Sequence, residues 1–560
     1  MLFTSQQPQI ELSSGQTLWS WLFESCTPSH NSTALQGFTD VSTLEHITFA
    51  DLAENTAGLS TVLYNKFGLR DGDVVVVYSK NSIWYPVIAL AAVRIGAIAC
   101  AVSPEYTVDE LAYALQLTKA KMIFTGAESV QLARRASTAS GMSFNNLLSI
   151  PTNQDGLLNL QDLIVEAKNL KKGEQVPQFH IPTGKTSHDV CAYLCLSSGT
   201  TGLPKAVMVS HGNIIAQCLQ IRQITPKDHD KIVAALPFYH ITGIVHEIHL
   251  PIAINAHTYV LPSYTLDSLL ETVCRYQIKE LLIVPPILIR LVQDPRTVDK
   301  YDLSHVRRFS SGAAPLPREI LNLLEKKFPN TGFKQGYGMT ESCSAITSHP
   351  PSKYAYKYAD KVGMLVGSTN IKIVDPTTLE ECGVNKAGEI WAKGPQVAMG
   401  YLANPQATVE TFDKGGFLHT GDIGYIDEEG LLSITDRLKE MIKVKGIGVA
   451  PAELENLLLG HPAVSDVAVC GIPDARAGER PKAFIVLREE KKCDPPQEAR
   501  AIIEFVKEKK AKHKWIVEVE IVDKIPKSPA GKILRRKLRE NTGGASTNLV
   551  VRDGVLQAKL

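Results

Sequence analysis

The chain has 560 residues, a length that predicts two or more domains and a large core. Hydrophobic residues make up 44% and charged residues 21%, which are ordinary values for a globular protein. The 59 basic and 58 acidic residues nearly cancel, which excludes a global attraction to nucleic acid or to an anionic membrane.

The predicted elements alternate between strand and helix along most of the chain. In chain order, residues 73–78 predict a buried strand, residues 83–93 a core helix too short to span a bilayer, and residues 107–117 an amphipathic helix. Residues 280–284 predict a second buried strand, and residues 318–328 a second amphipathic helix. This pattern predicts an α/β fold with mostly buried sheets.

A run of small polar residues follows the apolar segment 192–196, which predicts a short buried strand. Residues 195–205 read C-L-S-S-G-T-T-G-L-P-K. Gly199 and Gly202 allow backbone N–H groups to face an anion, and Lys205 adds a positive charge. The composition favours a loop that grips a polyphosphate, with a flexible surface turn as the alternative. It is not a Walker A motif, because two residues separate the second glycine from the lysine.

No histidine or cysteine spacing in the sequence predicts a metal centre. The ten cysteines are scattered without close zinc-like pairs, so we expect reduced and mostly buried thiols. The segment H-E-I-H at 246–249 places its second histidine one residue earlier than the zinc motif H-E-x-x-H requires. We therefore assign no zinc.

The sequence changes character near Asp436, where we place a domain boundary. The following part is smaller and more charged, with a β-like segment at 442–449, a predicted helix at 451–459 and two predicted strands after it. A basic stretch at 524–539 lacks interleaved aromatic residues, so a solvated helix face explains it better than RNA binding does.

The chain ends in Ala558-Lys559-Leu560, which is similar to the S-K-L peroxisomal address. Polar, glycine-containing residues precede it, so we expect a flexible tail over 546–560. The prediction is peroxisomal import through a receptor; the alternative is a chance ending on a cytoplasmic protein. The N-terminus lacks the basic and apolar regions of a secretion signal, and we expect no secretion.

Six separated motifs occur in one order along the chain. They are S-S-G-T-T-G-L-P-K at 197–205, L-P-F-Y-H-I at 236–241, Q-G-Y-G-M-T-E at 335–341, H-T-G-D at 419–422, D-R-L-K-E-M-I-K-V-K-G at 436–446 and P-K-S-P-A-G-K at 526–532. Together they resemble the adenylate-forming superfamily, which includes acyl-CoA synthetases, 4-coumarate–CoA ligases and beetle luciferases.

The resemblance implies an α/β fold with a large N-terminal domain of mixed and parallel sheets flanked by helices, and a small mobile α+β C-terminal domain. Residues 1–435 would form the adenylation domain, residues 436–545 the mobile domain and residues 546–560 the tail. The implied enzyme is an acid–CoA ligase that uses ATP, Mg²⁺ and coenzyme A. It would form an acyl-adenylate with release of pyrophosphate, and then a thioester.

The resemblance implies a role for each matched residue in the first step. The loop 197–205 would cradle the β- and γ-phosphates, Thr340 would contact the α-phosphate, and Glu341 would hold Mg²⁺. Asp422 would accept hydrogen bonds from the ribose hydroxyls, and Arg437 would donate to the ribose. The implied nucleotide-binding residues are Ser197, Ser198, Gly199, Thr200, Thr201, Gly202, Lys205, Gly312, Ala313, Ala314, Gln335, Gly336, Tyr337, Thr340, Asp422, Arg437, Lys443 and Lys532.

Two arrangements of the small domain would serve the two steps, with a pivot at 436–439. Lys532 would reach the substrate carboxylate and the α-phosphate during adenylation, and His240 would gate the access of the thiol. The residues facing the thioester-forming site would be Lys439, Lys443, Lys445 and Gly446, the last two contacting CoA. The implied catalytic residues are Lys532, Thr340, Glu341, His240 and Lys439. Singly, each has an ordinary structural explanation, such as a helix cap or a solvated lysine.

The predicted acyl pocket departs from that of the coumarate ligases. Those enzymes tend to have Lys where Ser310 stands, Tyr where Thr242 stands and Gln where Gly448 stands. The implied pocket residues are His240, Ile241, Thr242, Gly243, Ser310, Cys343, Ser344 and Ala345. We expect a less polar far end, and hence a medium-chain fatty acid or an unhydroxylated aryl acid as substrate.

Two other functions remain open at this point. A free-standing adenylating enzyme could load a carrier protein in trans, although the chain contains no separate carrier motif. A luciferase-like oxygenase could use the same fold, because fold does not determine function.

Overall fold

The computed structural model describes residues 1–26, 36–150, 156–170, 172–197, 204–294, 296–312, 316, 318–438, 440–444, 447–474, 476–492, 494–527, 533–540, 549–552 and 555–558. Within these ranges the strands form five sheets, four from residues before Ile442 and one from Ile442 onward. The fold is mixed α/β, with a large N-terminal part and a smaller C-terminal part, as predicted.

The helices are distributed along both parts of the described chain. The α-helices are Leu18–Ser20, Phe49–Lys66, Tyr85–Arg94, Val108–Thr118, Val130–Ser140, Leu160–Lys168, His211–Gln223, Ile241–Gly243, Leu250–Ile254, Leu266–Tyr276, Pro285–Gln293, Arg296–Asp299, Arg318–Lys327, Pro405–Thr411, Pro451–Leu459, Pro495–Lys509 and Arg535–Glu540. Trp21–Ser25 and Ile244–His249 are π-helical, and short 3₁₀ turns include Thr340–Ser342. None of the described helices combines the length and the apolar character needed to cross a membrane.

The first sheet contains the strand predicted at 192–196. Its strands, in spatial order, are Gly400–Tyr401, Lys205–Ser210, Cys191–Ser197, Ile98–Val102, Val74–Tyr78, Met122–Gly126 and Leu147–Ile150. Val74–Tyr78 is entirely buried, and Tyr85–Arg94 is a wholly buried helix begun with proline in its first turn, as the apolar sequence predicts. Lys205–Ser210 is a strand that the sequence analysis does not predict.

The second and third sheets support the other walls of the candidate site. The second is Lys231–Ala234, His257–Val260, Gly37–Asp40 and His46–Thr48. The third is Glu280–Leu282, Arg308–Ser311, Gly332–Tyr337, Thr347–Ser348 and Met364–Leu365. The first three strands of the third sheet are parallel, so their carboxyl ends lie at one edge, where ligands commonly bind in α/β folds.

The fourth sheet is antiparallel and ends in the strand that contains Asp436. Its order is Leu2–Thr4, Asn370–Val374, Gly388–Lys393, Leu418–Ile426 and Leu432–Arg437. The fifth, C-terminal sheet is Ile447–Val449, Ile442–Val444, Gly478–Leu487, Glu518–Ile521, Leu549–Arg552 and Val555–Ala558, with Val464–Asp474 beside Gly478–Leu487. The helix Pro451–Leu459 has the predicted bounds.

Two expectations for the C-terminal part differ from the structure. Residues 549–552 and 555–558 are not a flexible tail, because they form an antiparallel pair that extends the fifth sheet. Their β-branched and apolar residues flank Asp553-Gly554, a dipeptide that favours hairpin turns. Within the basic stretch, Arg535 is only partly exposed and is ion-paired with Glu440 and Glu455, so that stretch is not simply a solvated face.

Candidate active site

Tyr337, Asp422 and Arg437 form a hydrogen-bonded cluster where the third and fourth sheets meet. Tyr337 Oη donates to Asp422 Oδ2 at 2.7 Å, and Arg437 Nε donates to Asp422 Oδ1 at 2.9 Å. Asp422 is 3% exposed. Burial and the adjacent carboxylate raise the pKa of Tyr337 well above its ordinary value, so the phenol stays a donor.

Local backbone geometry positions this cluster. Asp422 and Arg437 are directly opposite each other in antiparallel strands, which places their side chains together. Gly421, in H-T-G-D, has φ = 69°, a left-handed conformation that glycine adopts without a steric cost. Its N–H donates to Glu389 Oε1 at 3.1 Å.

A second group of contacts joins the loop after Ser197 to the T-E motif. Ser197 and Lys205 are opposite each other in paired strands, so the two ends of the loop lie side by side. Lys205 Nζ lies 4.8 Å from the centre of the Tyr401 ring, and Tyr401 Oη donates to Glu341 Oε1 at 2.9 Å. Tyr401 therefore connects the cation of the loop to the predicted Mg²⁺ ligand.

Tyr401 is a residue that the sequence analysis misses. It is in a two-residue strand paired antiparallel with Lys205–Ser210, a contact between distant parts of the chain. Burial, followed by the carboxylate of Glu341, raises the pKa of its phenol above the ordinary value. At neutral pH the hydroxyl is a proton donor to Glu341.

A cavity extends from these motifs into the protein. Its lining includes His240, Ile241 and Thr242 from one helical segment and Ser310, Ser311 and Gly312 from the end of a strand. Gly336, Tyr337 and Thr340 from the Q-G-Y-G-M-T-E motif line the same cavity, as do Ser344 and Ala345. The structure thus brings most of the predicted acyl-pocket residues next to four residues predicted to bind the nucleotide: Gly312, Gly336, Tyr337 and Thr340.

The turn after Thr340–Ser342 has an unusual backbone. Cys343 and Ser344 both have positive φ, 48° and 96°, which non-glycine residues rarely adopt. Surrounding contacts hold it: Ala345 N donates to Gln217 Oε1 at 2.7 Å, and an ideal Cβ on Gly338 would lie only 1.7 Å from Ser344 O. The turn directs Ser344 toward the cavity.

The segment H-E-I-H coincides with the π-helical turn Ile244–His249, a kind of distortion often found at functional sites. His246 lines the cavity, and its Nε2 lies 3.1 Å from Ser344 Oγ. Burial, and then the ammonium of Lys334, lowers the pKa of His246 to about 3, so its imidazole is neutral. Burial raises the pKa of Glu247 well above its ordinary value.

The cavity is more polar than the sequence predicts. Lys334 and Glu280 line it together with His229 and His246. Glu280 Oε2 accepts from Arg308 Nε at 2.8 Å. Burial opposes ionisation of Glu280, but Lys334, His229 and Arg308 together hold its pKa below the ordinary value. The pocket residues inferred from the sequence, such as Ser310 and Thr242, did not include these charged neighbours.

The remaining predicted residues lie elsewhere or outside the described part of the chain. Gly243 and Cys343 do not line the cavity; an ideal Cβ on Gly243 would lie 2.2 Å from Pro237 O. Gln335 is buried and its N–H donates to His349 Nδ1, and the N–H of Lys443 donates to Glu479 Oε2. The predicted residues outside the described ranges are Ser198, Gly199, Thr200, Thr201, Gly202, Ala313, Ala314, Lys439, Lys445, Gly446 and Lys532.

Comparisons with known proteins cover nearly the whole chain. A sequence profile of the AMP-binding enzyme family matches residues 22–402, and a profile of the AMP-binding enzyme C-terminal domain matches residues 453–532. A probable CoA ligase of Humulus lupulus is 34% identical over 543 residues, 96% of this chain and 95% of that protein. Peroxisomal OPC-8:0-CoA ligase 1 of Arabidopsis thaliana is 35% identical over 504 residues, 90% and 89% of the two chains.

A solved structure gives the same assignment. The crystal structure of ATP-bound MatB from Rhodopseudomonas palustris aligns with a TM-score of 0.80 and 27% identity, covering 94% of this chain and 99% of that one. The mixed α/β fold agrees with this solved structure. The chain therefore belongs to the AMP-binding enzyme family of the adenylate-forming superfamily and is an AMP-forming acid–CoA ligase.

Proposed function

We propose that the enzyme adenylates a carboxylic acid with an apolar body and transfers the acyl group to coenzyme A. In the first step a carboxylate oxygen bonds to the α-phosphorus of ATP, and pyrophosphate leaves with the electron pair of the broken P–O bond. In the second step the sulfur of CoA bonds to the acyl carbon, AMP leaves, and the thiol proton passes to solvent. Catalysis rests on positioning and on stabilisation of negative charge.

The observation that carries the proposal is the continuity of the cavity. It passes from Tyr337 and Thr340, beside the Asp422 cluster, to His240 and Ile241. An acid in this cavity would place its carboxylate next to the bound α-phosphate. The cavity lining also includes apolar residues such as Leu236 and Val233, which favours an acid with an apolar body. A medium-chain fatty acid or an unhydroxylated aryl acid fits this description.

The cluster at Asp422 is suited to the ribose. A carboxylate has about four acceptor positions, and Tyr337 and Arg437 use one on each oxygen. One position on each oxygen remains for the two ribose hydroxyls. Arg437 and Tyr337 then hold the carboxylate in a fixed orientation, which lowers the entropy cost of binding.

Glu341 fits the expected role of magnesium ligand. Its Oε1 accepts the Tyr401 hydroxyl, and Oε2 has no hydrogen-bond partner among the described residues. Mg²⁺ prefers carboxylate and phosphate oxygens and would neutralise charge on the polyphosphate. Lys205 Nζ lies over the ring of Tyr401, and we assign Lys205 and the loop 197–205 to the β- and γ-phosphates.

The second step requires a different arrangement of the small domain. We assign residues 1–435 to the adenylation domain and 436–545 to the mobile domain, with the pivot at 436–439. Lys532 would serve adenylation, and Lys439, Lys443, Lys445 and Gly446 would serve thioester formation. The proposal draws on the matched motifs and on the separate C-terminal sheet.

We further propose that the enzyme acts in peroxisomes. The ending Ala558-Lys559-Leu560 would be read by the import receptor, and one relative is named as a peroxisomal ligase.

Pyrophosphate release with a panel of acids, each with and without CoA, tests the proposed reaction. We expect acid-dependent release in both conditions and a CoA thioester, identified by mass spectrometry, only when CoA is present. Asp422→Ala should weaken ATP binding, whereas Asp427→Ala, a loop carboxylate that caps its own turn, should not. Oxygen consumption without thioester formation, or no release with any acid, would contradict the proposal.

A further inference from the structure

Lys334 is a buried cation whose ammonium faces the acyl cavity. It is 8% exposed and lines the cavity at the end that also contains Glu280 and His229. Within strand Gly332–Tyr337 it is three residues before Tyr337, or roughly 10 Å along the strand. Its side chain is therefore well removed from the nucleotide end of the site.

The ammonium of Lys334 has hydrogen-bonding capacity that the described protein does not use. Its nearest described partner is Glu280 Oε1 at 3.6 Å, which is longer than a hydrogen bond, and Lys334 Nζ donates to no described residue. An ammonium has three N–H donors. A ligand in the cavity could supply an acceptor for them.

Lys334 is one of three cationic or ionisable groups around Glu280, and it is not the closest of them. Arg308 Nε lies 2.8 Å from Glu280 Oε2, and His229 Nδ1 lies 3.5 Å from the same oxygen. Arg308 also binds both oxygens of Asp228. A purely structural lysine would be expected to form the closest contact with the buried carboxylate, and here the arginine does so.

We infer that Lys334 determines specificity by donating a hydrogen bond to a neutral oxygen, a carbonyl or a hydroxyl, near the remote end of the acid. The inference rests on the proposed function, because it assumes that the cavity holds the acid. It narrows the proposed substrates to medium-chain acids that carry such an oxygen.

The local charge favours a neutral acceptor over a second carboxylate. Glu280 and Asp228 supply two negative charges, and Arg308 and Lys334 supply two positive charges; His229 adds a third only when it is protonated. A second carboxylate, at the remote end of the acid, would lie beside the carboxylate of Glu280, and both would contact Lys334. Two negative charges close together in a buried site repel strongly. A carbonyl or hydroxyl oxygen accepts from Lys334 without adding a charge.

The test compares matched acids on the wild type and on Lys334→Met, which keeps the length of the side chain and removes the donor. Hexanoate, octanoate and decanoate are each compared with the analogue bearing an oxo or hydroxyl group next to, or at, the remote end, and with the dicarboxylic acid. The readout is the ratio of kcat/KM for the oxygenated acid to that for the plain acid. We expect the wild type to prefer one oxygenated acid roughly 10- to 100-fold, and Lys334→Met to lose that preference while retaining plain acids.

Two further variants keep the test interpretable. Lys334→Arg retains a donor and should keep part of the preference, even if Lys334→Met folds poorly. Lys327→Met removes a different partly buried lysine, which donates to backbone carbonyls away from the cavity, and should leave the ratio unchanged.

An unchanged ratio in Lys334→Met at every chain length, or a wild-type preference for the dicarboxylic acid, would overturn the inference and leave the ligase function standing. The absence of pyrophosphate release with all acids would overturn both.

Discussion

Asp436, at the predicted pivot, should make the stability of the protein depend on pH. It is 6% exposed, and burial raises its pKa to about 7 from an ordinary value of 3.8. Above about pH 4 the unfolded chain loses this proton while the folded protein keeps it, so the free energy of unfolding falls as pH rises from about 4 to about 7. The stabilisation is fully present below the unfolded pKa and lost above the folded one.

The magnitude follows from the shift in the pKa of Asp436. A difference of about three pKa units at about 1.36 kcal/mol each amounts to about 4 kcal/mol. Asp436→Asn keeps a neutral side chain at every pH, and its Oδ1 can still accept from the N–H of Arg437, which is 2.6 Å from the carboxylate. The variant should equal the wild type near pH 4 and exceed its stability by up to about 4 kcal/mol at pH 8.

Urea unfolding between pH 4.5 and 8, followed by tryptophan fluorescence and circular dichroism, measures this difference. The difference between wild type and variant cancels the titration of all other groups that the substitution leaves unchanged. Asp375→Asn is a control whose effect on the pH dependence of stability should have the opposite sign. The backbone N–H groups of Thr378 and Thr377 lower the pKa of the Asp375 carboxylate, whereas burial raises that of Asp436. Parallel pH profiles for wild type and Asp436→Asn would refute the reasoning.

Three other predictions concern catalysis and location. Lys532→Ala should slow adenylation about 10²- to 10³-fold and largely spare thioester formation from supplied acyl-AMP, and equal losses in both half-reactions would contradict the two-arrangement proposal. Tyr401→Phe should raise the Mg²⁺ concentration for half-maximal pyrophosphate release roughly 10-fold, because the charged carboxylate of Glu341 loses the hydrogen bond that it accepts from the Tyr401 hydroxyl. Tyr356→Phe should leave that concentration unchanged. Deletion of residues 558–560 should leave a fluorescently tagged protein in the cytosol, and an unchanged distribution would show that the ending is not an address.

Local sequence patterns predicted the elements whose residues determine their own structure. Val74–Tyr78 consists of four valines and a tyrosine, a composition typical of a buried strand. Pro451–Leu459 starts with proline and ends before Gly460, and these two residues were enough to predict the bounds of the helix. The motif residues Tyr337, Asp422 and Arg437 were identified by resemblance, and the structure places them in contact.

The missed features depend on contacts between distant segments. Tyr401 reaches Glu341 because its short strand pairs with Lys205–Ser210, which no local pattern indicates. Lys334 is two residues before Gly336 and so lies on the same face of the strand, which made its direction predictable. Glu280, however, comes from a strand two positions away in the sheet. A pocket inferred only from motif residues therefore lacked its charged end.

The left-handed backbone at Ser344 bears on how this enzyme could change its substrate range during evolution. A glycine there would adopt φ = 96° without the penalty of a Cβ atom and would also remove the hydroxyl that meets His246. One mutation could thus enlarge the cavity and also stabilise the protein. Mutations that give an enzyme a new function usually destabilise it, so this would be the opposite of the usual trade-off between stability and activity. A raised melting temperature together with faster turnover of bulkier acids in Ser344→Gly would reveal that route.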